Sequence, residues 1–198
     1  MKEIQVGLIG FGNIGTGVVK LLKQNEELLT MKLGAKIVLK KIADINITSS
    51  RGVKVPKGVL TTNAGEILND PEISIIIELM GGYEPARTFV LEAIKNGKHV
   101  VTANKAMLAT YGNVIFPAAQ KCGVDVGFEA SVGGTIPIIK TLKEALTANH
   151  ILSMIEIMNG TCNFILTKMT DEGKPFDAVL KEAQDLGFAE ADPTFDIE

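Results

Sequence analysis

The chain has 198 residues, of which 46% are hydrophobic, and a formal net charge of -3 from 20 basic and 23 acidic residues. This apolar content supports a packed core, and the charge balance excludes a strongly basic surface for nucleic acid. Cys122 and Cys162 have no CxxC spacing, so neither a disulfide framework nor a zinc site is expected. No leader-like segment and no run of about 18 apolar residues is present. We expect a cytoplasmic protein with no membrane or nucleic-acid partner.

The first 56 residues predict a strand, a helix and a second strand. Residues 3–9 are a β-rich run that enters a turn with glycines at positions 10, 12 and 15. Apolar residues at helical spacing then predict one helix ending near Gly34: Ile14, Val18, Leu21, Leu22 and Leu29. Residues 36–43 predict a strand that ends at Asp44, and a polar loop covers residues 49–56.

Strands and helices continue to alternate up to about residue 130. We predict a short helix at 64–68, a strand at 74–80, a helix at 86–94, a strand at 98–103, a helix from about Val114 to Lys121 and a strand at 124–130. The strand at 74–80 is apolar almost throughout, as in parallel sheets that are buried on both faces. This alternation predicts the α/β class with a doubly wound parallel sheet.

The character of the chain changes after Glu129. A glycine-rich stretch leads to a predicted helix with Ile138, Leu142, Ala145 and Leu146 on one face, then a strand at 151–158 and helices at 161–169 and 176–183. We therefore divide the chain into residues 1–130 and an incomplete second domain at residues 131–198.

The glycine turn has the GxGxxG pattern of dinucleotide-binding domains. Gly10 suits the tight turn, Gly12 lets a pyrophosphate approach the backbone, and Gly15 lets helix and strand pack closely. The helix that follows offers unpaired N–H groups to the phosphates. A tight turn without a ligand is the alternative. The position after an N-terminal strand favours a Rossmann domain at 1–130.

Asp44 ends the second predicted strand, where Rossmann domains place a carboxylate that binds the adenosine ribose. A carboxylate favours NAD because it repels a 2′-phosphate, whereas Arg51 and Lys54 in the next loop can pair with that phosphate. The choice between NAD and NADP stays open. Asp44 can also be read as an ordinary solvated strand end.

Three further positions are candidates for the chemistry. Lys105 follows the predicted strand at 98–103, at the sheet edge where ligands bind, although a solvated loop lysine fits the pattern too. Asn104 beside it is a candidate helix cap. The bend with Glu129 and two glycines can turn oxygens toward a cation or simply join the domains. Asn159 or Thr161 can cap the helix at 161–169.

Five segments follow one another in the order and spacing of homoserine dehydrogenases, which the chain resembles over nearly its whole length. The segments are GLIGFGNIGTGVV, VVTANKAMLA, EASVGGTIPII, NGTCNFILTKM and DLGFAEADPTFDIE. The resemblance implies reversible hydride transfer between L-homoserine and L-aspartate 4-semialdehyde with NAD or NADP, on the route to threonine, methionine and isoleucine. It also implies a Rossmann domain followed by an α/β substrate and dimerisation domain, and a homodimer in the complete protein.

The resemblance assigns roles to individual residues. Lys105 becomes the active-site lysine beside the nicotinamide and the substrate, and Glu190 binds the amino group of the substrate. The cofactor-facing residues are Gly10, Phe11, Gly12, Asn13, Ile14, Gly15, Asp44, Lys105 and Gly160. A structural sodium ion is expected at Glu129, Val132, Gly134 and Ile136.

Two departures from the family pattern stand out. Cys162 occupies a position where threonine is more usual. The aspartate and the proton-donating lysine of the family fall beyond Glu198, so we expect a fragment without turnover of its own. The alternatives are a non-catalytic dinucleotide-binding module and a dehydrogenase of a related amino acid or semialdehyde.

Overall fold

The computed structural model describes residues 1–156, 159–189 and 193. Six strands among these residues form one parallel sheet: β1 (Lys2–Ile9), β2 (Ala35–Ala43), β3 (Leu60–Thr61), β4 (Ile73–Glu78), β5 (His99–Thr102) and β6 (Val126–Gly127). Their order in the sheet is β3-β2-β1-β4-β5-β6. This is the strand order of a doubly wound Rossmann sheet, which confirms the predicted α/β class.

Helices connect the strands and continue beyond the sheet. They are α1 (Asn13–Gln24), α2 (Glu26–Leu33), α3 (Gly65–Leu68), α4 (Ala86–Lys95), α5 (Lys105–Cys122), α6 (Ile138–Lys140), α7 (Gly160–Glu172) and α8 (Phe176–Asp185). A 3₁₀ turn covers Glu129–Ser131, and α6 continues as a π turn over Thr141–Ala145. In the described part of the chain, no helix is long and apolar enough to cross a bilayer.

The sheet is buried on both faces near its centre. Successive residues of a strand point to opposite faces, so Leu8 and Ile9 at the end of β1 enter different clusters. Leu8 packs with Val19 of α1, whereas Ile9 belongs to the cluster that holds Val90 of α4 and Ile115 of α5. The double burial predicted for the strand at 74–80 is confirmed in the same way, since Ile76 belongs to one cluster and Ile77 packs against the other.

The helical segment predicted after the glycine turn ends at Gly34 as expected, but it is not one helix and its buried face differs. It breaks into α1 and α2 at Asn25, whose φ of -111° and ψ of 19° lie outside the helical range. The side-chain amide of Asn25 donates to the Leu21 carbonyl, which already accepts the Asn25 N–H. Ile14 and Leu21 are 63% and 53% exposed, whereas Gly15 and Val19 are buried. Small residues bring α1 close to the sheet, so backbone approach rather than the apolar stripe decides which face is covered.

The boundaries of α5 and β6 also differ from the predictions. Helix α5 begins at Lys105, nine residues before the predicted start at Val114, because Asn104 caps it there. The strand predicted at 124–130 is limited to Val126–Gly127, and the 3₁₀ turn follows at once.

The chain separates into two compact units, residues 1–147 and 148–198. In the second unit, α7 and α8 pack through Ile165, Val179 and Ala183. The strand predicted at 151–158 is wrong over residues 151–156, which have no regular structure, while residues 157 and 158 lie outside the described part. A strand needs a neighbour for its hydrogen bonds, and the described residues of this unit contain none. Packing units and domains need not coincide, so the domain boundary after residue 130 stays a prediction.

Candidate cofactor-binding and active site

Three glycines shape the turn between β1 and α1. Gly10 has φ 98°, and a Cβ there would lie 2.5 Å from the carbonyl group of Leu79. A Cβ on Gly15 would lie 2.2 Å from the Gly10 carbonyl oxygen. A Cβ on Gly12 would meet none of the described atoms within 4 Å. Gly10 and Gly15 are therefore required for packing, whereas Gly12 faces open space that a ligand can enter.

The amino end of α1 is suited to an anion. Its cap position is Gly12, which has no side chain to bind the first-turn N–H groups, and no acidic residue lies in that turn. Such N–H groups lack intrahelical acceptors and carry the positive end of the helix dipole. Together with the space at Gly12, this arrangement fits the pyrophosphate of a dinucleotide.

A cavity of about 760 Å³ opens at the carboxyl ends of β1, β2 and β4. This is the point where the strand order reverses, and it is where open α/β sheets bind ligands. The described residues around it come from the glycine turn, the loops after β2, β3 and β4, and α4: among them Gly12, Asp44, Asn63, Met80, Pro85 and Phe89. Its size and its mixed apolar and polar walls suit a nucleotide.

Asp44 lines this cavity and also holds the glycine turn. Its Oδ2 accepts a hydrogen bond from the Phe11 N–H at 2.6 Å, and its Oδ1 accepts one from the Asn46 N–H at 2.8 Å. Each carboxylate oxygen has two lone pairs, so capacity remains for a ribose hydroxyl. The reading of Asp44 as a plain solvated strand end is therefore incomplete, because the carboxylate joins β2 to the turn.

The charges around the cavity have both signs. Arg51 lies with its terminal nitrogen 3.6 Å from Asp44 Oδ1, and its buried Nε has no hydrogen-bond partner among the described residues. Glu84 lines the cavity as well, and the hydroxyl of Thr88, which donates to it at 2.7 Å, holds the pKa of that carboxyl below its usual value. Among the described residues that line the cavity, one guanidinium thus lies with three carboxylates, those of Asp44, Glu84 and Glu92.

Lys105 is the first residue of α5, directly after the end of β5. The predicted cap is confirmed, since Asn104 Oδ1 accepts a hydrogen bond from the Met107 N–H at 3.1 Å. The Lys105 side chain is exposed at the edge of the sheet that also carries the glycine turn. Its assignment as an active-site residue stays a prediction.

The residues predicted to hold sodium lie around the 3₁₀ turn and the following bend. The Glu129 carboxylate accepts hydrogen bonds from the Ile139 N–H at 2.9 Å and the Lys140 N–H at 3.0 Å, so it holds the start of α6. Val132 directly follows the turn, Gly134 lies next to Thr135 with its φ of 72°, and Ile136 is exposed. Within the described ranges, no group of three His, Cys, Asp or Glu residues could hold a metal ion.

The remaining predicted residues belong to the second unit. Gly160 begins α7, and Asn159 caps it by accepting a hydrogen bond from the Cys162 N–H at 2.9 Å. Of the two predicted caps for this helix, Asn159 is therefore the one used. Glu190, the predicted partner of the substrate amino group, lies outside the described residues.

Comparison with known families decides what kind of protein this fold and cavity belong to. The model for the homoserine dehydrogenase NAD-binding domain matches residues 10–129, and the homoserine dehydrogenase model matches residues 137–198. The chain belongs to the homoserine dehydrogenase family. The resemblance carried by the five sequence segments is thereby confirmed.

Individual homoserine dehydrogenases match the whole chain. Those of Bacillus subtilis and Neisseria gonorrhoeae are 47% and 48% identical over 198 residues, which are 46% and 45% of their lengths. The solved structure of a Thiobacillus denitrificans homoserine dehydrogenase is similar at a TM-score of 0.89 and 54% identity, over the full chain and 46% of that protein. A hyperthermophilic archaeal homoserine dehydrogenase in complex with NADPH matches at 0.80 and 25% identity, over 98% of this chain and 65% of that one. The chain thus spans less than half the length of the curated relatives named here.

Sequence reasoning missed part of this candidate site. The loop after β4, including Met80 and Glu84, lines the cavity, and the buried Glu78 and Thr102 lie directly behind it. A signal was available, since Glu78 is an acidic residue in a run of isoleucines that predicts a buried strand. A buried carboxyl group needs hydrogen-bond partners and so marks a polar network.

Proposed function

We propose that the protein containing this chain is an NAD(P)-dependent homoserine dehydrogenase, which interconverts L-homoserine and L-aspartate 4-semialdehyde. The observation that carries the proposal is the open space at Gly12, in a cavity of nucleotide size, within a chain of this family. In a turn that binds no ligand, alanine would serve at position 12 as well as glycine, because its Cβ would meet none of the described atoms. Glycine is needed there only if a ligand approaches the backbone.

Several groups of the chain would hold the dinucleotide. The first-turn N–H groups of α1 bind the pyrophosphate, and Asp44 accepts a hydrogen bond from a ribose hydroxyl. Arg51 has an unused Nε with which it can pair with a 2′-phosphate. NAD and NADP are both candidates, and the archaeal relative was solved with NADPH. When bound, the nicotinamide supplies the site that accepts or donates hydride.

Lys105 is proposed to act on the oxygen of the substrate. Removing hydride from a carbinol requires the hydroxyl proton to leave, and negative charge grows on that oxygen. An ammonium group fixed at the start of α5 stabilises this charge, and such a contribution is worth about 10² to 10³ in rate. The capped helix start supports the proposal, because it fixes the backbone from which the side chain extends.

The substrate side of the proposal rests on the family pattern. Glu190 pairs with the amino group of homoserine, since an ammonium in a partly dry site needs a carboxylate partner. Gly160 approaches the cofactor at the start of α7. A sodium ion binds main-chain oxygens of Val132, Gly134 and Ile136 together with Glu129. We further propose a homodimer that works in the cytoplasm, which suits two cysteines that are free thiols.

The test is a steady-state assay of the full-length gene product. L-homoserine should reduce NAD or NADP, measured by absorbance of the reduced nicotinamide, whereas L-serine and L-threonine at equal concentration should not. Dinucleotide binding without turnover of any amino-acid alcohol would favour the non-catalytic module. Preference for another alcohol or semialdehyde would favour a related dehydrogenase.

A further inference from the structure

We propose that Glu78 and Thr102 are positioning residues that join the loop lining the dinucleotide cavity to the helix start carrying Lys105. The inference rests on the proposed function, because it concerns how the two halves of that site are held together. Both side chains are buried, at 1% and 0% exposure. Among the described residues that line the cavity, neither appears, so they act through their neighbours.

Glu78 is the last residue of β4 and reaches in two directions. Its Oε1 accepts a hydrogen bond from the Met80 N–H at 2.8 Å, which bends the chain just after the strand. Its Oε2 accepts one from the Thr102 hydroxyl at 2.6 Å. The two residues are register partners in the β4–β5 ladder, so this bond crosses from one strand end to the next.

Thr102 passes the connection on to α5. Its hydroxyl donates to Glu78 and accepts from the Asn104 N–H at 3.0 Å, which uses its donor and one acceptor site. Its main-chain carbonyl accepts a further hydrogen bond from the Ser131 hydroxyl at 3.0 Å. The ends of β4 and β5, the start of α5 and the 3₁₀ turn therefore meet at one threonine.

Asn104 closes the network. Its Oδ1 caps α5, and its Nδ2 donates to the Gly82 carbonyl at 2.7 Å. The chain reaches that carbonyl because Gly81 and Gly82 have φ of 76° and 69°, a region that glycine adopts without a Cβ clash. The loop after β4 is thus held at Met80 through Glu78 and at Gly82 through Asn104.

The preceding register pair shows why this network does more than stabilise the sheet. One position earlier, Ile77 faces Val101, and an apolar pair is enough to join β4 to β5. Glu78 and Thr102 replace such a pair with directional bonds that must all be satisfied, which fixes geometry at the cost of desolvation. The bonds end at the cavity-lining Met80 and at the residue before Lys105.

The main test compares Thr102→Val with Thr102→Ser in the full-length gene product. Valine keeps the branched shape and removes the hydroxyl, whereas serine keeps the hydroxyl. We expect kcat with homoserine to fall about 10- to 100-fold in Thr102→Val, the scale of a small misplacement of reacting groups. Thr102→Ser should recover most of that rate. Equal losses in the two variants, or no loss in Thr102→Val, would overturn the proposal.

A double-mutant cycle asks whether the effect passes through Lys105. If Thr102 acts by placing the lysine, Thr102→Val should lower kcat less than 3-fold further in a Lys105→Ala background. A purely structural loss would multiply with that of Lys105→Ala, and this result would contradict a positioning role. Glu78→Gln is the second variant if Thr102→Val does not fold, because glutamine still accepts from Met80 but its amide cannot accept from Thr102.

Hydrogen exchange separates this proposal from the proposed function, because it needs no substrate. In Thr102→Val, peptides covering residues 79–84 and 104–108 should both exchange faster, while the peptide covering 13–24 should not change. Unchanged exchange, or a change in only one of the two peptides, would overturn the network even if the wild type oxidises homoserine. If both peptides exchange faster in Thr102→Val but the wild type does not oxidise homoserine, the proposed function is removed and the network stands.

Discussion

Helices α1 and α5 begin at the same edge of one sheet, each directly after a parallel strand, yet their amino ends differ. Helix α1 starts from Gly12, with open space in front of it and no side-chain cap. Helix α5 starts from Asn104, whose amide caps the helix and binds the Gly82 carbonyl. The first amino end has its N–H groups left for a ligand, and the second has a backbone held by the protein.

This difference matches the roles proposed for the two ends. A phosphate needs N–H groups and room, and both are lost if a side chain occupies the cap position. A catalytic side chain needs a fixed backbone, which a cap and a buried network provide. The same edge of the sheet therefore offers an anion site at the start of α1 and, at the start of α5, a fixed backbone for a cationic side chain.

The largest expected effect is at the capped end. Lys105→Ala in the full-length gene product should lower kcat about 10²- to 10³-fold, because one electrostatic donor is removed. Tm should hardly change, since exposed substitutions usually shift stability by less than about 0.5 kcal/mol. Lys121→Ala, at an exposed lysine in the last turn of the same helix, is the control and should leave both quantities unchanged. Near-normal kcat/KM in Lys105→Ala would mean that Lys105 is an ordinary solvated lysine and not part of the active site.

Lys105→Arg sharpens the same comparison. Arginine keeps the charge but cannot release a proton at accessible pH, and it presents a planar fork in place of a compact ammonium. Partial recovery of kcat relative to Lys105→Ala indicates charge stabilisation. A loss as large as that of alanine indicates that the lysine transfers a proton.

The next effect is at the open end. Gly12→Ala should raise the dinucleotide Kd about 10-fold or more without lowering Tm, because its methyl group meets only the space meant for the pyrophosphate. Gly17→Ala in the same helix also points a Cβ into open space and should leave Kd unchanged. Gly15→Ala should instead destabilise the fold by about 1 to 3 kcal/mol, since its Cβ would meet the Gly10 carbonyl. Isothermal calorimetry and thermal melts measure the three variants, and equal Kd values for Gly12→Ala and Gly17→Ala would rule out the open-end model.

Substitutions of Asn104 should have a smaller effect, and they distinguish its helix-capping bond from its bond to the Gly82 carbonyl. Asn104→Ala should lower the free energy of unfolding by about 0.5 to 2 kcal/mol, as loss of a helix cap does. Asn104→Asp keeps the oxygen that caps α5 and loses the amide that donates to Gly82, so most of this stability should remain while the loop at 79–84 exchanges faster. Denaturant unfolding and hydrogen exchange give the two readouts, and identical behaviour of the two variants would mean that only one of the contacts matters.

The smallest expected effect is a change in cofactor preference. Asp44→Ala should weaken both dinucleotides because the Phe11 N–H loses its acceptor, with NAD weakened several-fold more than NADP. Arg51→Ala should weaken NADP more than NAD if its guanidinium pairs with the 2′-phosphate. Competitive titration of the two cofactors measures the ratio, and a ratio that neither variant changes would place both side chains away from the ribose.

What could be predicted from the sequence is mostly local. The glycine turn and the Asn104 cap each depend on a few consecutive residues, and the structure confirms both. The buried face of α1 was missed because it depends on how closely Gly15 approaches the sheet. The break at Asn25 was missed because no glycine or proline marks it in the sequence.

The contacts that could not be predicted join distant residues. Glu78 meets Thr102 across 24 positions and Phe11 meets Asp44 across 33, and no spacing rule connects them. Residues 151–156 were wrongly predicted as a strand for the same reason. An apolar run forms a strand only where another strand is available to pair with it, and the local sequence does not show this.

The position of β1 between β2 and β4 also sets when the dinucleotide cavity can exist during protein synthesis. The glycine turn is made before the walls that face it, which come from the loop after β4 and from α4 as far as Glu92. Leu79, whose N–H donates to the Ile9 carbonyl at 2.8 Å, joins the first strand only after some 70 intervening residues have been made. A nascent chain therefore exposes the glycine turn well before the cavity exists, and the cavity can form only once residue 92 has left the ribosome.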